Sequence, residues 1–220
     1  MLEATVPGTP ADRIVIAVPK GRILRDLGPR LASAGIETSP LEEDDRRLVR
    51  DSADGSVRYL LLKPDDVPTY VEYGAADLGV VGRDVLMERD LDVYVPVDLG
   101  IGRCRMVVAG PPGAALDDGG DGRPLRVATK FPNTATRHFL GRGRQVETIF
   151  VQGSVELAPL TGLADLIVDL VETGETLREN GLVEIEDVCA VSSVVVANRV
   201  GLKLKRATIA PLLAALQTAP

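Results

Sequence analysis

The chain has 220 residues and a formal net charge of −7, and this acidic balance argues against general binding to nucleic acid or to acidic membranes. Its 45% hydrophobic content is enough for a buried core, while 3% aromatic residues and no Trp argue against a platform that stacks single-stranded bases. One His and two Cys without a CxxC pattern exclude a structural zinc site and favour reduced thiols.

From the N-terminus, residues 1–12 read as a polar lead for which we expect disorder and no signal peptide. Beyond it, β-branched apolar runs alternate with segments of helical spacing. The predicted strands cover residues 13–18, 57–63, 76–82, 93–100, 104–110, 125–130, 146–153, 164–171 and 188–198. The predicted helices cover residues 23–35, 64–74, 83–90, 132–144, 154–162, 175–181 and 210–217, and residues 111–124 read as a surface loop. This alternation predicts an α/β protein with mainly parallel sheets. Since no stretch approaches the roughly 18 apolar residues that span a bilayer, we expect a soluble, cytoplasmic protein.

One internal echo bears on the domain organisation. Residues 74–82 (GAADLGVVG) and 162–170 (GLADLIVDL) share a helix-ending Gly, then Ala-Asp-Leu, then a buried strand. Either this junction is simply reused, as any α/β protein can do, or the chain folds into two similar α/β lobes. With two lobes, we expect lobe I to comprise residues 13–103 and 188–220 and lobe II residues 104–187. Ligands of α/β folds bind beyond the carboxyl ends of the strands, so a cleft between the lobes is the expected site.

The most informative segment for chemistry is DLVETGETLRENG, residues 169–181. It joins a predicted strand to a predicted helix, and a helix N-terminus offers unpaired N–H groups and a partial positive charge. Gly174 permits close backbone approach, and Thr173 and Thr176 add hydroxyl donors, so the turn is suited to a phosphate monoester. Asp169 and Glu172 precede it, and they would reach ribose hydroxyls if the phosphate is a sugar 5′-phosphate. The alternative is an ordinary turn with a Thr cap.

The pattern of residues 169–177, acid-x-x-acid-Thr-Gly-x-Thr-Leu, resembles the phosphoribosyl-pyrophosphate loop of phosphoribosyltransferases. Four further segments share a more specific resemblance, to ATP phosphoribosyltransferases of histidine biosynthesis, which extends over residues 13–205. They are AVPKGRI (17–23), LLLKPDDVPTYVEYGAADLGVVGRDVL (60–86), DLGIGRCRM (98–106) and TKFPNTATRHF (129–139). The resemblance implies two α/β lobes with a cleft, like type II periplasmic binding proteins.

The resemblance also implies an activity and partners. N1 of ATP would displace pyrophosphate from phosphoribosyl pyrophosphate, a reaction that needs no protein nucleophile, with Mg²⁺ bound largely through substrate oxygens. A chain of this length is similar to the short form of the family. That form works with a regulatory subunit similar to histidyl-tRNA synthetase, and we expect a homodimer within a larger hetero-oligomer.

Site residues follow from the same resemblance. The expected catalytic acids are Asp169 and Glu172. The expected phosphoribosyl-pyrophosphate contacts are Asp169, Glu172, Thr173, Gly174, Glu175, Thr176, Leu177, Lys20, Gly21 and Arg22. The expected ATP contacts are Arg22, Lys63, Arg103, Arg105, Lys130 and Arg137. Lys63 departs from the family, which more often has Arg there, so a bidentate anion contact becomes a point contact.

Two other classes of function stay open at this stage. A two-lobed binding protein without catalysis would share the fold, although no export signal is visible. A salvage phosphoribosyltransferase would share the loop, although it is expected to lack the PKGR and GRCRM segments. A binding protein would release no pyrophosphate from ATP and phosphoribosyl pyrophosphate. A salvage enzyme would accept a free nucleobase in place of ATP.

Overall fold

The structure, a computed structural model, describes residues 13–43, 45–116 and 123–218. The expected disorder of residues 1–12 lies outside the described residues. The chain divides into two compact units. Among the described residues, the first unit comprises residues 13–86, 91–102 and 192–218, and the second comprises residues 87–90 and 103–191.

Strands and short helices alternate along the chain. The strands are β1 (Ile14–Pro19), β2 (Val49–Asp51), β3 (Val57–Leu62), β4 (Leu78–Gly82), β5 (Tyr94–Asp98), β6 (Cys104–Gly110), β7 (Leu125–Thr129), β8 (Val146–Phe150), β9 (Leu166–Val171), β10 (Val183–Val191) and β11 (Ser193–Ala197). The helices are α1 (Arg22–Ser33), α2 (Ser39–Glu42), α3 (Val67–Glu72), α4 (Arg83–Glu88), α5 (Pro132–Leu140), α6 (Leu157–Leu160), α7 (Glu175–Glu179), α8 (Arg199–Leu204) and α9 (Arg206–Thr218). A 3-10 turn, Pro64–Asp66, precedes α3.

Each unit is built on one sheet, and the two sheets share a strand order. The first reads β2-β3-β1-β4-β11-β5 and the second, from its other edge, β8-β7-β9-β6-β10. In each, a central strand runs parallel to two neighbours: β1 to β3 and β4, and β7 to β8 and β9. Beyond them, β11 and β5 in the first sheet and β6 and β10 in the second each pair antiparallel with their neighbours, and β2 pairs antiparallel with β3 at the other edge of the first sheet. Apart from β2, the two units are therefore versions of one topology.

The central strands of both sheets are buried on both faces, as expected for strands that are apolar throughout. In β1, Ile16 and Val18 enter a core with Leu27 of α1, while Ala17 points to the other face and packs with Val67 of α3. In the second unit, α5 covers one face of the sheet, and α6 and α7 cover the other. Because helices cover the faces of the sheets, polar side chains lie mainly in the loops that follow the strands.

Several expectations about the fold were wrong. The sheets are mixed rather than mainly parallel, because β2 and β11 run against the other strands of the first sheet and β6 runs against the other strands of the second. Residues 188–198 are two strands in different sheets: β10 pairs with β6 up to Val191, and β11 pairs with β4 from Ser193. Residues 188–191 therefore belong to the second unit, as do residues 87–90. The elements β2, α2 and α8 were not predicted.

Candidate active site

The turn between β9 and α7 is shaped around Gly174. This residue is buried, stands at the N-cap of α7 and has a φ of 72°, in the left-handed region. A Cβ there would lie 3.0 Å from Glu184 Oε1 and 3.1 Å from Arg178 Nη1. Both the backbone angle and the contacts call for glycine. The turn is held further by Arg178 Nη1, which donates to the Thr173 carbonyl at 2.9 Å.

Asp169 lies on β9, two residues before the strand ends. The register places it beside Val107 of β6, within a largely apolar face of the sheet. Its Oδ1 accepts the N–H of Leu170 at 2.8 Å. Burial raises the pKa of Asp169 to about 6, with Glu156 also raising it and the Leu170 N–H and Lys130 lowering it. A buried carboxyl whose pKa is raised toward neutral, close to a strand-to-helix turn, is a candidate functional group.

Glu156 is a functional candidate that the sequence reasoning missed. It occupies the N-cap position of α6 and acts electrostatically on Asp169. A signal was available in the sequence. Strands β8, β7 and β9 run parallel, so the segment after β8 reaches the same sheet edge as the loop after β9. An acid in that segment therefore belongs with the acids of the loop.

The predicted basic residues of the second unit have different surroundings. Arg105 is tied to Glu184 at 2.8 Å and to Asp187 at 2.7 Å. Arg137 donates to the Met87 carbonyl and, at 3.3 Å, to Thr134 Oγ1. These two side chains therefore stabilise the unit itself. Arg103 is exposed.

The N-terminus of α5, where we expected an approach to the nucleotide, binds a carboxylate of the chain itself. Glu88 Oε1 accepts the Asn133 N–H at 2.8 Å, and Glu88 Oε2 accepts the N–H and the hydroxyl of Thr134, both at 2.9 Å. Asn133 Nδ2 also donates to the Glu88 carbonyl at 3.1 Å. Glu88 therefore accepts the N–H groups at this helix end, where we expected the nucleotide to approach.

In the first unit, three predicted basic residues follow neighbouring parallel strands. Lys20 and Arg22 follow β1, Lys63 follows β3, and the Lys20 N–H donates to the Leu62 carbonyl at 2.9 Å. Gly21, with a φ of 98°, makes the turn into α1. All four residues are exposed. The structure therefore places them in the two segments that follow neighbouring parallel strands of the first unit, whereas residues 169–177 lie in the second unit.

Other findings limit what the chain can hold. Cys104 and Cys189 are partly buried and carry reduced thiols. Within residues 13–43, 45–116 and 123–218, no three His, Cys, Asp or Glu side chains cluster as metal ligands. No helix in the described part of the chain is long and apolar enough to cross a membrane.

The fold and the loop together define a class of protein: a two-unit α/β protein whose glycine turn, at a strand-to-helix junction, is suited to a phosphate group. Residues 63–218 match the model of the family "HisG: ATP phosphoribosyltransferase". The chain belongs to the ATP phosphoribosyltransferase family.

Relatives support this assignment along nearly the whole chain. It is 60% identical over 206 residues to an ATP phosphoribosyltransferase of Sorangium cellulosum (strain So ce56), with 94% of this chain and 95% of the relative covered. It is 47% identical over 207 residues to ATP phosphoribosyltransferase 2 of Geobacter sulfurreducens, with 94% and 98% covered.

Solved structures agree on the fold. A chain of the "ATP phosphoribosyl transferase (HisG:HisZ) complex from Thermotoga maritima" matches with a TM-score of 0.79 and 37% identity, over 93% of this chain and 96% of that one. The periplasmic aliphatic sulphonate binding protein SsuA from Escherichia coli matches with a TM-score of 0.56 at 14% identity, over 93% and 71% of the two chains. This second likeness confirms the predicted periplasmic-binding-protein-like architecture and shows the fold alone.

Proposed function

We propose that the chain transfers the 5-phosphoribosyl group of phosphoribosyl pyrophosphate to N1 of ATP and releases pyrophosphate, and that residues 169–177 bind the phosphoribosyl group. As a member of its family the chain is a pentosyltransferase of histidine biosynthesis. The observation that carries the site assignment is the buried, left-handed Gly174 at the start of α7, five residues after an acid held in a largely apolar face.

The loop suits the two ends of the phosphoribosyl group. The backbone N–H groups of Gly174–Leu177 and the hydroxyls of Thr173 and Thr176 would donate to the 5′-phosphate. Asp169 and Glu172 would accept from the ribose hydroxyls. The ionised carboxylate of Asp169 would also stabilise the positive charge that develops at the anomeric carbon as pyrophosphate departs. The protein's contribution to catalysis is then positioning and electrostatics rather than a covalent intermediate.

The anionic groups of ATP and pyrophosphate need cations. We assign these contacts to Lys20, Gly21, Arg22 and Lys63, the exposed residues that follow β1 and β3. Arg105 and Arg137 are reassigned to structural roles, because using them for ATP would break the contacts that tie them to Glu184, Asp187 and Met87.

Magnesium would be bound mainly by oxygen atoms of the substrate. Mg²⁺ is often held by one or two carboxylates together with substrate phosphates. Asp169, Glu172 and Glu156 are oxygen donors that suit this role, and no ready-made cage of three ligands exists within the described residues. When bound, the ion would neutralise charge on the leaving pyrophosphate.

The test of the activity uses the purified chain with ATP, phosphoribosyl pyrophosphate and Mg²⁺. We expect stoichiometric release of pyrophosphate and formation of an N1-substituted nucleotide. A chain that binds both substrates without release would be a binding protein, and one that accepts free nucleobases in place of ATP would be a salvage enzyme. Either result contradicts the proposal.

A partner subunit is part of the proposal. The Thermotoga maritima structure is a HisG:HisZ complex by its description, and we propose that this chain forms a homodimer that assembles with a regulatory subunit similar to histidyl-tRNA synthetase in the cytoplasm. Feedback by histidine requires an effector that binds two states of the assembly unequally. We expect the initial rate of the lone chain to be insensitive to histidine and that of the reconstituted complex to be inhibited. Strong inhibition of the lone chain would place the effector site within these 220 residues.

A further inference from the structure

All four sulfur atoms among the described residues lie in one place in the second unit. Cys104 and Met106 are alternate residues of β6, and Cys189 lies directly opposite Met106 on β10. Because side chains alternate between the faces of a sheet, these three project from the same face, and they pack in the same apolar core. Met87 completes the group, since the Cys189 thiol donates to its Sδ at 3.9 Å.

Three of these residues stand near the points where the chain enters or leaves the second unit. That unit consists of residues 87–90 and 103–191. Met87 begins the first segment, Cys104 is the second residue of the other segment, and Cys189 lies two residues before its end. The sulfur atoms are distant in sequence, so only the folded chain brings them together.

Met87 is held in position by α5. Arg137 donates to the Met87 carbonyl, and the next residue, Glu88, accepts N–H groups at the start of α5 with both carboxylate oxygens. The backbone of Met87 is therefore anchored on both sides. The neighbouring carboxylate is already engaged within the chain, which leaves sulfur as the donor atom of this cluster.

The spacing of the sulfur atoms suits a shared ion better than a disulfide. Cys104 lies opposite Val191, two residues beyond Cys189, so the two cysteines are diagonal neighbours with Cα atoms about 7 to 8 Å apart. A disulfide needs Cα atoms within about 7 Å. Two sulfur atoms that each bond one trigonal ion at about 2.3 Å, the length of a Zn–S bond, lie about 4.0 Å from each other. Met87 Sδ and Cys189 Sγ already have this separation, at 3.9 Å.

We propose that Cys104, Cys189 and Met87 form a binding site for one soft monovalent ion, Cu(I) or its analogue Ag(I), with Met106 closing its inner side. Thiolate and thioether sulfur atoms select Cu(I) over harder ions. The three ligand residues are partly exposed, which gives the ion a path, while Met106 is fully buried. Each thiol gives up its proton on binding, so two protons leave for one ion. This inference rests on the geometry of the cluster and not on the proposed transferase activity.

The experiment titrates the reduced full chain with Cu(I) against a chromophoric Cu(I) chelator in the absence of oxygen. We expect one ion per chain, an affinity that rises with pH because protons are released, and only sulfur neighbours in X-ray absorption at the copper edge. The ion should raise the Tm, because it binds the folded chain better than the unfolded one. An equal concentration of Zn²⁺ should not displace it.

Single substitutions assign the ligands. Cys104→Ser and Cys189→Ser should each weaken Cu(I) binding by more than about 100-fold, since a lost ligand costs more than a lost partner behind a ligand. Met87→Leu keeps the volume of the side chain and should still bind one ion, with lower affinity and one sulfur neighbour fewer. Met106→Leu is the matched control, because it removes a sulfur atom of the same cluster that is not a ligand, and it should keep the affinity.

Two results would overturn the inference. One is an unchanged affinity in Cys104→Ser, which would mean that the two cysteines do not share an ion. The other is a Tm of the wild-type chain that does not rise with bound Cu(I), which would mean that the thiols bind the ion without help from the fold. If either serine variant fails to fold, Met87→Leu decides, because an unchanged number of sulfur neighbours in that variant contradicts the proposed site.

Discussion

Asp77 and Asp165 hold the same place in the two units, directly before β4 and directly before β9. Each carboxylate accepts a backbone N–H of the central strand at 2.8 Å, from Val15 in one unit and from Arg126 in the other. Each aspartate N–H donates back to the carbonyl of that same residue at 2.9 Å. The Ala-Asp-Leu echo is therefore a structural repeat, and together with the shared strand order it favours two similar lobes over a reused junction.

The repeat leads to a prediction about stability. Asp77 also accepts from Lys205 Nζ at 2.8 Å, in a mostly buried pair. Its replacement in Asp77→Asn leaves that ammonium without its counter-charge, and we expect a loss of about 3 kcal/mol in the free energy of unfolding. Asp165→Asn should cost about 1 kcal/mol, because the partner Arg123 is much more exposed. Chemical denaturation measures both.

The control for this pair of variants is Asp92→Asn, which removes an exposed ion pair with Arg199. Its cost should be under about 0.5 kcal/mol. Equal losses for Asp77→Asn and Asp165→Asn would mean that the Lys205 pair adds nothing to the shared backbone bonds.

The shape of the Gly174 turn predicts a selective loss of substrate affinity. In Gly174→Ala the new Cβ needs room beside Glu184 and Arg178 and a left-handed backbone, so the turn should open and lose its fit to the 5′-phosphate. We expect affinity for phosphoribosyl pyrophosphate, measured by calorimetry, to fall at least about tenfold, with a loss of stability of about 1 kcal/mol. Gly174→Val should lose more stability, because a branched side chain needs more room beside Glu184 and Arg178.

Gly143→Ala is the matched control. Gly143 has a φ of 74° and lies in the same unit, but a Cβ there meets nothing within 4 Å. Gly143→Ala should therefore lose stability through its left-handed backbone but keep its affinity for phosphoribosyl pyrophosphate. If Gly174→Ala and Gly143→Ala bind phosphoribosyl pyrophosphate equally well, the loop is not part of the binding site.

Much of the fold was predictable because its signals are local. The alternation of apolar runs with helical segments gave the order of most elements, and Asp169, Gly174 and Thr176 follow from the chemistry of one strand-to-helix turn. The antiparallel strands were missed because the side-chain period of a strand does not encode the direction of its neighbour. The break at Ser192 was missed because VCAVSSVVVAN is a largely apolar run without Gly or Pro, and nothing in it marks a change of sheet.

Contacts distant in sequence explain why the partners of Arg137 and of the α5 N-terminus were not predicted. Arg137 follows a strand end in a typical ligand-binding pattern, but the groups it bonds include the carbonyl of Met87, 50 residues away. Glu88 caps α5 from a distance of 45 residues. Neither pairing produces a periodic pattern in the sequence. A contact within the protein therefore cannot be told from a contact with a ligand until the fold is known.

The Glu88 cap gives a third prediction. Phe131, at the N-cap position of α5, supplies no side-chain cap, so Glu88→Ala leaves the Asn133 and Thr134 N–H groups without their carboxylate. We expect a loss of about 1 to 2 kcal/mol in the free energy of unfolding. Glu88→Gln, which keeps an acceptor but not the charge, should lose less.

The exposed Glu179 ends α7 as Glu88 ends α4, and Glu179→Ala is therefore the control for helix propensity and surface charge. It should change stability by no more than about 0.5 kcal/mol. If Glu88→Ala is as mild as this control, the cap contributes nothing and the helix end is solvated instead.

Replacing the carboxyl of Asp169 should raise the stability of the fold and lower the activity. Its pKa rises on folding from an ordinary value of 3.8 to about 6, first because the group is buried. The folded state therefore binds more protons than the unfolded state between these values, and stability falls as the pH rises through that window. At about 1.4 kcal/mol for each pH unit, the full penalty above pH 6 is about 3 kcal/mol, and residual solvent contact reduces it to about 1 to 2 kcal/mol.

Asp169→Asn removes that penalty and can still accept the Leu170 N–H. The variant should be more stable than the wild type by about 1 to 2 kcal/mol at pH 7.5 and no more stable at pH 4, where the folded wild-type carboxyl is already protonated. Its kcat/KM should fall by about 100-fold, because an amide places no negative charge at the anomeric carbon, while ATP affinity changes little. Denaturation at the two pH values and initial rates measure these effects. A variant that is both less stable at pH 7.5 and fully active would show that the carboxylate is held by stabilising partners and serves the fold alone.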